Sequence, residues 1–107
     1  MTDAGVAFHL DIVRQAQAVS ISVYVAADTS RALTWKLVAS SRTRGGTSEI
    51  VQSGVTDGQR TDPVGTIAVS PDSRGCVVLT VLENAREIGR EVREIGAGEG
   101  DADTQCR

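Results

Sequence analysis

Aromatic residues make up only 3% of this 107-residue chain: Phe8, Tyr24 and Trp35. A core so poor in rings must be filled by Val, Ile, Leu and Ala, and a chain of this length supports one such core rather than two. Histidine occurs once, at His9, with no second His and no close Cys pair to complete a metal site. The two cysteines, Cys76 and Cys106, are too far apart for the C-x-x-C spacing of a thiol oxidoreductase. No apolar run approaches the ~20 residues of a membrane helix, so membrane insertion is not expected. Nucleophile motifs and phosphate-binding loops are missing as well, since Gly45-Gly46 is followed by neither the lysine nor the helix such a loop requires. Catalysis, metals and cofactors are therefore not expected.

Excess positive charge is also lacking. The net charge is -3. Glu99, Asp101 and Asp103 crowd into the Gly-rich segment AGEGDADTQCR at residues 97–107. Setting those acids and Arg107 aside from the 11 basic and 14 acidic residues leaves 10 and 11, a nearly neutral body. A nucleic-acid partner is not indicated. The composition of 97–107 reads as a flexible acidic tail, which leaves residues 1–96 as the folded domain.

What the chain does have is alternation. Leu33, Trp35 and Leu37 alternate with Thr34, Lys36 and Val38, the period of two that buries one face of a strand and wets the other. The wet parity continues through Ser40, Arg42 and Arg44, so Lys36, Arg42 and Arg44 are expected on one solvent-facing stripe if the strand runs that far. Gly45-Gly46 then reverses the chain into a hairpin partner over about Thr47 to Ser53.

The same reading places strands at residues 6–14 and 18–27, where Val6, Phe8, Leu10 and Ile12, then Val19, Ile21, Val23 and Val25, share a parity. His9 falls on the opposite parity and reads as a surface residue. Asp57-Gly58 and Asp62-Pro63 mark a long loop, which carries Arg60. VGTIAVS at 64–70 is a fifth strand, and Arg74 follows it in a turn. CVVLTVL, from Cys76 to Leu82, is apolar on both faces, as a central strand should be. Beyond it, Val81, Ala85, Ile88, Val92 and Ile95 recur at helical spacing. Gly89 and the turn-like Glu83-Asn84-Ala85-Arg86 argue instead for a seventh strand over about 87–95, which would cover the edge of the preceding ones. Cys76 and Cys106 either close a loop of about 30 residues, worth roughly 3 to 4 kcal/mol in the chain-entropy model, or stand as two unrelated thiols.

Seven short strands joined by turns, with an inward Trp on the third, describe an all-β, immunoglobulin-like sandwich of antiparallel strands. The usual disulfide between its sheets is not available, because the second strand has no cysteine.

One run is more distinctive. GGTSEIVQSG at 45–54 follows a Trp-bearing strand and precedes a loop and the V-G-T-I-x-V strand. Together with CVVLTVLENAREIGREV at 76–92, it resembles the small periplasmic chaperones of curli assembly, the H-type relatives of the curli-assembly C protein, over roughly residues 18–95. That resemblance implies a non-enzymatic, monomeric sandwich in the periplasm that keeps the curli amyloid subunit, curlin, from polymerising. Residues 1–20 carry no secretory signal pattern, so a periplasmic form is expected to be a mature chain. The Cys-x-Cys motif of the C-type relatives is absent, and nothing involving paired vicinal thiols carries over. Joined to the basic stripe, the resemblance makes Lys36, Arg42 and Arg44 the expected client-binding residues. The alternative is a generic extracellular immunoglobulin-like adhesion or ligand-binding module.

Overall fold

The computed structural model describes residues 2–3, as backbone, and 5–96. Residues 97–107, read above as a tail, and Cys106 with them, lie outside the described residues. Within that range every regular element is a strand: β1 (Thr2–Asp3), β2 (Val6–Arg14), β3 (Val19–Ala27), β4 (Leu33–Thr43), β5 (Gly46–Thr56), β6 (Gly65–Val69), β7 (Arg74–Glu83) and β8 (Arg86–Ile95). β2 to β8 are the seven strands expected from the alternation, and β1 is a two-residue addition alongside β2.

The strands form two antiparallel sheets in the orders β1-β2-β3-β6 and β5-β4-β7-β8. Consecutive strands thus change sheets between β3 and β4, β5 and β6, and β6 and β7, giving the immunoglobulin-like arrangement of a sandwich. The core between the sheets is aliphatic apart from Phe8 and Trp35. Val6, Phe8, Leu10, Ile21 and Val23 meet Leu33, Trp35, Leu37, Leu79 and Val81 across it.

Trp35 is 3% exposed. Its strand partner in β5 is Gly54, and the indole lies over that residue, 3.1 Å from where a Cβ would stand. The Gln52-Ser53-Gly54 run thus has a packing reason: the ring fills space the glycine leaves empty. Phe8 makes a comparable contact at the other side of the sandwich, where its ring occupies the position of a Cβ on Gly89. There the Arg93 guanidinium also donates to the Leu10 carbonyl at 3.2 Å, tying β8 to β2.

Two local readings change. The β4–β5 reversal uses Arg44 and Gly45 as its loop residues, and of the glycine pair only Gly46, the first residue of β5, has a positive φ, 137°. The β7–β8 reversal is a two-residue turn through Asn84 (φ 55°) and Ala85 (φ 64°), the geometry that matches the twist of a hairpin. A bulge follows, since Val81 pairs with Gly89 but Leu82 pairs with Glu87, leaving Ile88 as the extra residue. The helical spacing of residues 81–95 is thus produced by a turn plus a bulge. Ile95 is buried while Val92 is 38% exposed on the outer face, where one helical stripe would have buried both.

Candidate functional site

The outer face of the β5-β4-β7-β8 sheet carries the expected residues. Register places them in rows across the strands. Lys36 lies between Ser53 and Thr80, and Thr80 pairs in turn with Arg90. The next row is Val51, Val38, Val78 and Val92, followed by Glu49, Ser40, Cys76 and Glu94. The last is Thr47, Arg42 and Arg74. The face therefore alternates basic, apolar, acidic and basic.

Lys36 and Arg42 share the exposed side of β4, as expected. Six residues of strand separate them by about 20 Å, and valines and carboxylates intervene, so they form two basic zones rather than one stripe. Arg44 is exposed but lies past the end of β4, in the turn. Its partners there come from elsewhere: Arg42, Thr43, Arg44, Asp72 and Arg74 line one open cleft of about 540 Å³. Arg74, expected in a loop, is the first residue of β7 and stands directly opposite Arg42. Sequence reasoning missed it because a register, not a periodicity, brings it there. Arg60 lies in the loop between β5 and β6 and joins neither zone.

Like charges directly opposite on adjacent strands disfavour the pairing, so Arg42 and Arg74 hold a positive potential at a local cost. None of Lys36, Arg42, Arg44 and Arg74 has an ion pair among the described residues, where the pairs are Arg31–Glu83, Arg90–Glu87 and Arg93–Glu91. Glu49 is taken up in part by Ser40, whose Oγ donates to Oε2 at 3.5 Å. Cys76 is disulfide-bonded; Cys106, one of the two alternatives for it in the sequence, lies outside the described residues.

At the far end of the sheet the half-buried Arg31 guanidinium donates to both Glu83 oxygens, at 3.0 and 2.6 Å. That hydrogen bonding, assisted by the guanidinium's charge, holds the Glu83 carboxyl below its ordinary value against a smaller opposing effect of burial. Asn84 and Ala85 line an open cleft beside this pair. His9 stacks on Tyr24 on the other sheet, with ring centroids 4.8 Å apart. No group of three His, Cys, Asp or Glu side chains is placed to hold a metal among the described residues.

The two-sheet sandwich is a fold this chain shares with two solved curli proteins. The chain is similar to CsgH of R. palustris, with a TM-score of 0.62 over 83% of this chain and 91% of that one at 18% identity. It is also similar to the E. coli curli protein CsgC, with a TM-score of 0.61 over 83% of this chain and 96% of that one at 16% identity. At these identities the shared property is the fold. No family model matches the sequence, and no curated protein does.

Proposed function

We propose that this chain is a periplasmic, non-enzymatic chaperone of curli assembly that inhibits nucleation of the curli amyloid subunit. The observation that carries the reading is a set of bases without an ion pair among the described residues, Lys36, Arg42 and Arg74 on one outer face and Arg44 at its end, in a sandwich shared with CsgH and CsgC. Lys36 at one end, and Arg42 and Arg44 with Arg74 at the other, offer two separated positive contacts to an extended acidic client. Each exposed pair contributes only about 0 to 1 kcal/mol, so contacts are transient and screened beyond a Debye length of about 8 Å at physiological salt. Transience suits a substoichiometric inhibitor, because nuclei are rare relative to monomers. The valine row supplies modest apolar contact between the two zones. It spans three strand spacings, about 14 Å, far short of the ~800 Å² per partner of a stable interface. That smallness favours the chaperone over the adhesion-module alternative.

The test is dye-reported fibre formation by purified curlin with the protein at one part in a hundred, at low and high salt. A lag that lengthens strongly and shortens again with salt is the expected result. Unchanged kinetics even at equal concentrations would overturn the proposal.

A further inference from the structure

We propose that the outer edge of β5 takes up an extended segment of another chain as an added strand, one with carboxylates six residues apart that face Lys36 and Arg42. A sheet edge exposes backbone N–H and C=O groups that template such pairing, and proteins blunt it by shortness, charge, bulges or cover. Three edges of this sandwich are blunted in those ways. β6 has five residues. β2 carries β1 over Val6 and Ala7, and the Arg93 guanidinium donates to its Leu10 carbonyl. β8 holds six charges in ten residues and the bulge at Ile88. Among the described residues, β5 has none of these devices.

β5 runs for eleven residues, with Glu49 as its one charge and no proline. Its register with β4 is unbroken from Gly46 to Thr56, and it ends the strand order of its sheet. None of its residues is buried. Alternate residues of an edge strand turn their N–H and C=O groups away from the sheet, so a strand of this length offers about five of them to a newcomer.

Register defines the occupant. In an antiparallel addition the outward residues of the new strand stand opposite Val55, Ser53, Val51, Glu49 and Thr47 in turn, all five of them exposed. Lys36 pairs with Ser53 and Arg42 with Thr47, so the residues added opposite Ser53 and Thr47 lie two strand spacings, about 10 Å, from those bases. A carboxylate and a long basic side chain meet across that gap. Between the two carboxylates, the residue opposite Val51 is best apolar and the one opposite Glu49 best basic, because apolar and opposite-charge pairs stabilise adjacent strands and like charges oppose them. The pattern is apolar-x-acidic-x-apolar-x-basic-x-acidic. A second copy of this chain meets it less well. Turned antiparallel about Val51, that copy sets Glu49 opposite Ser53 but Val55 opposite Thr47, beside Arg42. That such a segment belongs to curlin rests on the function proposed above; the edge site itself does not.

The experiment titrates the full chain at low salt with the capped peptide VTDTVTKTD, which has this pattern, and with VTKTVTDTD, in which the lysine and the first aspartate are exchanged. The first peptide is expected to slow amide hydrogen exchange at alternate residues of β5 and nowhere along β8, as read by NMR. The second is expected to bind about tenfold more weakly. Val51 is 55% exposed, so Val51→Lys puts a charge on the edge without touching the core. It is expected to weaken the first peptide about tenfold and to leave the denaturant midpoint unchanged. Equal binding of the two peptides, binding without protection at β5, or binding undiminished by Val51→Lys would each overturn the edge site. Dimers of the chain alone that protect β5 without peptide would overturn it too, giving the edge to a second copy. Peptide docking in the expected register, with Val51→Lys inhibiting curlin fibres as well as the wild type does, would support the edge site and overturn only its assignment to curlin.

Discussion

The sandwich has two outer faces, one on strands of 2, 9, 9 and 5 residues and the other on strands of 10 or 11, and they differ in kind. On the β1-β2-β3-β6 sheet the outward residues are small or hydroxylic, Ala7, Ser20, Ser22, Ala26, Thr66 and Ala68, with the His9–Tyr24 stack, Asp11 and Val13. On the β5-β4-β7-β8 sheet bases, acids and valines stand in rows among Ser40, Thr47, Ser53 and Thr80. Both faces satisfy the same folding requirement, because either one need only be wettable while the opposite parity builds the core. The charged face is therefore not needed for folding, and its like-charged Arg42 and Arg74 work slightly against it. A feature the fold does not require is the better candidate for function.

The comparison can be broken most severely from within. Trp35→Ala removes the ring that packs β4 against Gly54, and a loss of about 3 to 5 kcal/mol is expected in denaturant unfolding, enough to dissolve both faces in a domain of this size. Gly89→Ala drives a Cβ into the Phe8 ring where β8 meets β2. It is expected to cost about 1 to 3 kcal/mol, and Phe8→Leu in the same chain should recover part of it, as a double-mutant cycle would measure.

Surface changes sharpen the contrast without unfolding anything. Replacing Lys36, Arg42 and Arg44 by Glu is expected to abolish inhibition of curlin fibres at low salt and to shift stability by no more than about 0.5 kcal/mol per site. Asp11→Lys, on the other outer face, is expected to leave inhibition unchanged; equal effects from both faces would end the distinction. Ala85→Gly relieves a left-handed residue in the β7–β8 turn and is expected to stabilise by about 0.5 to 1 kcal/mol. The smallest effect concerns acid. The Glu83 carboxyl is held below its ordinary 4.5 by Arg31, so its charged form is favoured in the folded state. Its stabilisation is present at neutral pH and fades as pH falls through the lowered value. Glu83→Gln should flatten that part of the acid-unfolding profile.

Much of the architecture is legible along the chain because burial on one side of a strand writes itself as a period of two. Val19, Ile21, Val23 and Val25 state β3 outright, and Leu33, Trp35 and Leu37 state the inward side of β4. The β7–β8 hairpin is harder, because Ile88 is a bulge residue and imitates a helical period. The candidate site is legible only in part. Lys36 and Arg42 follow from parity. Arg44 does not follow, because the two-residue turn begins one position before the glycine pair suggests.

The sequence by itself determined the inward parity of β2, β3 and β4, the approximate places where the chain turns, and that β3 carries no cysteine, all consequences of local parity and turn chemistry. Only the tertiary structure decided which outward residues are neighbours. Strand order and register set Arg74 against Arg42 and Cys76 beside Glu94, and they place valines and carboxylates between Lys36 and Arg42. Contacts between residues 18 to 32 positions apart arise from backbone pairing and leave no period in the chain.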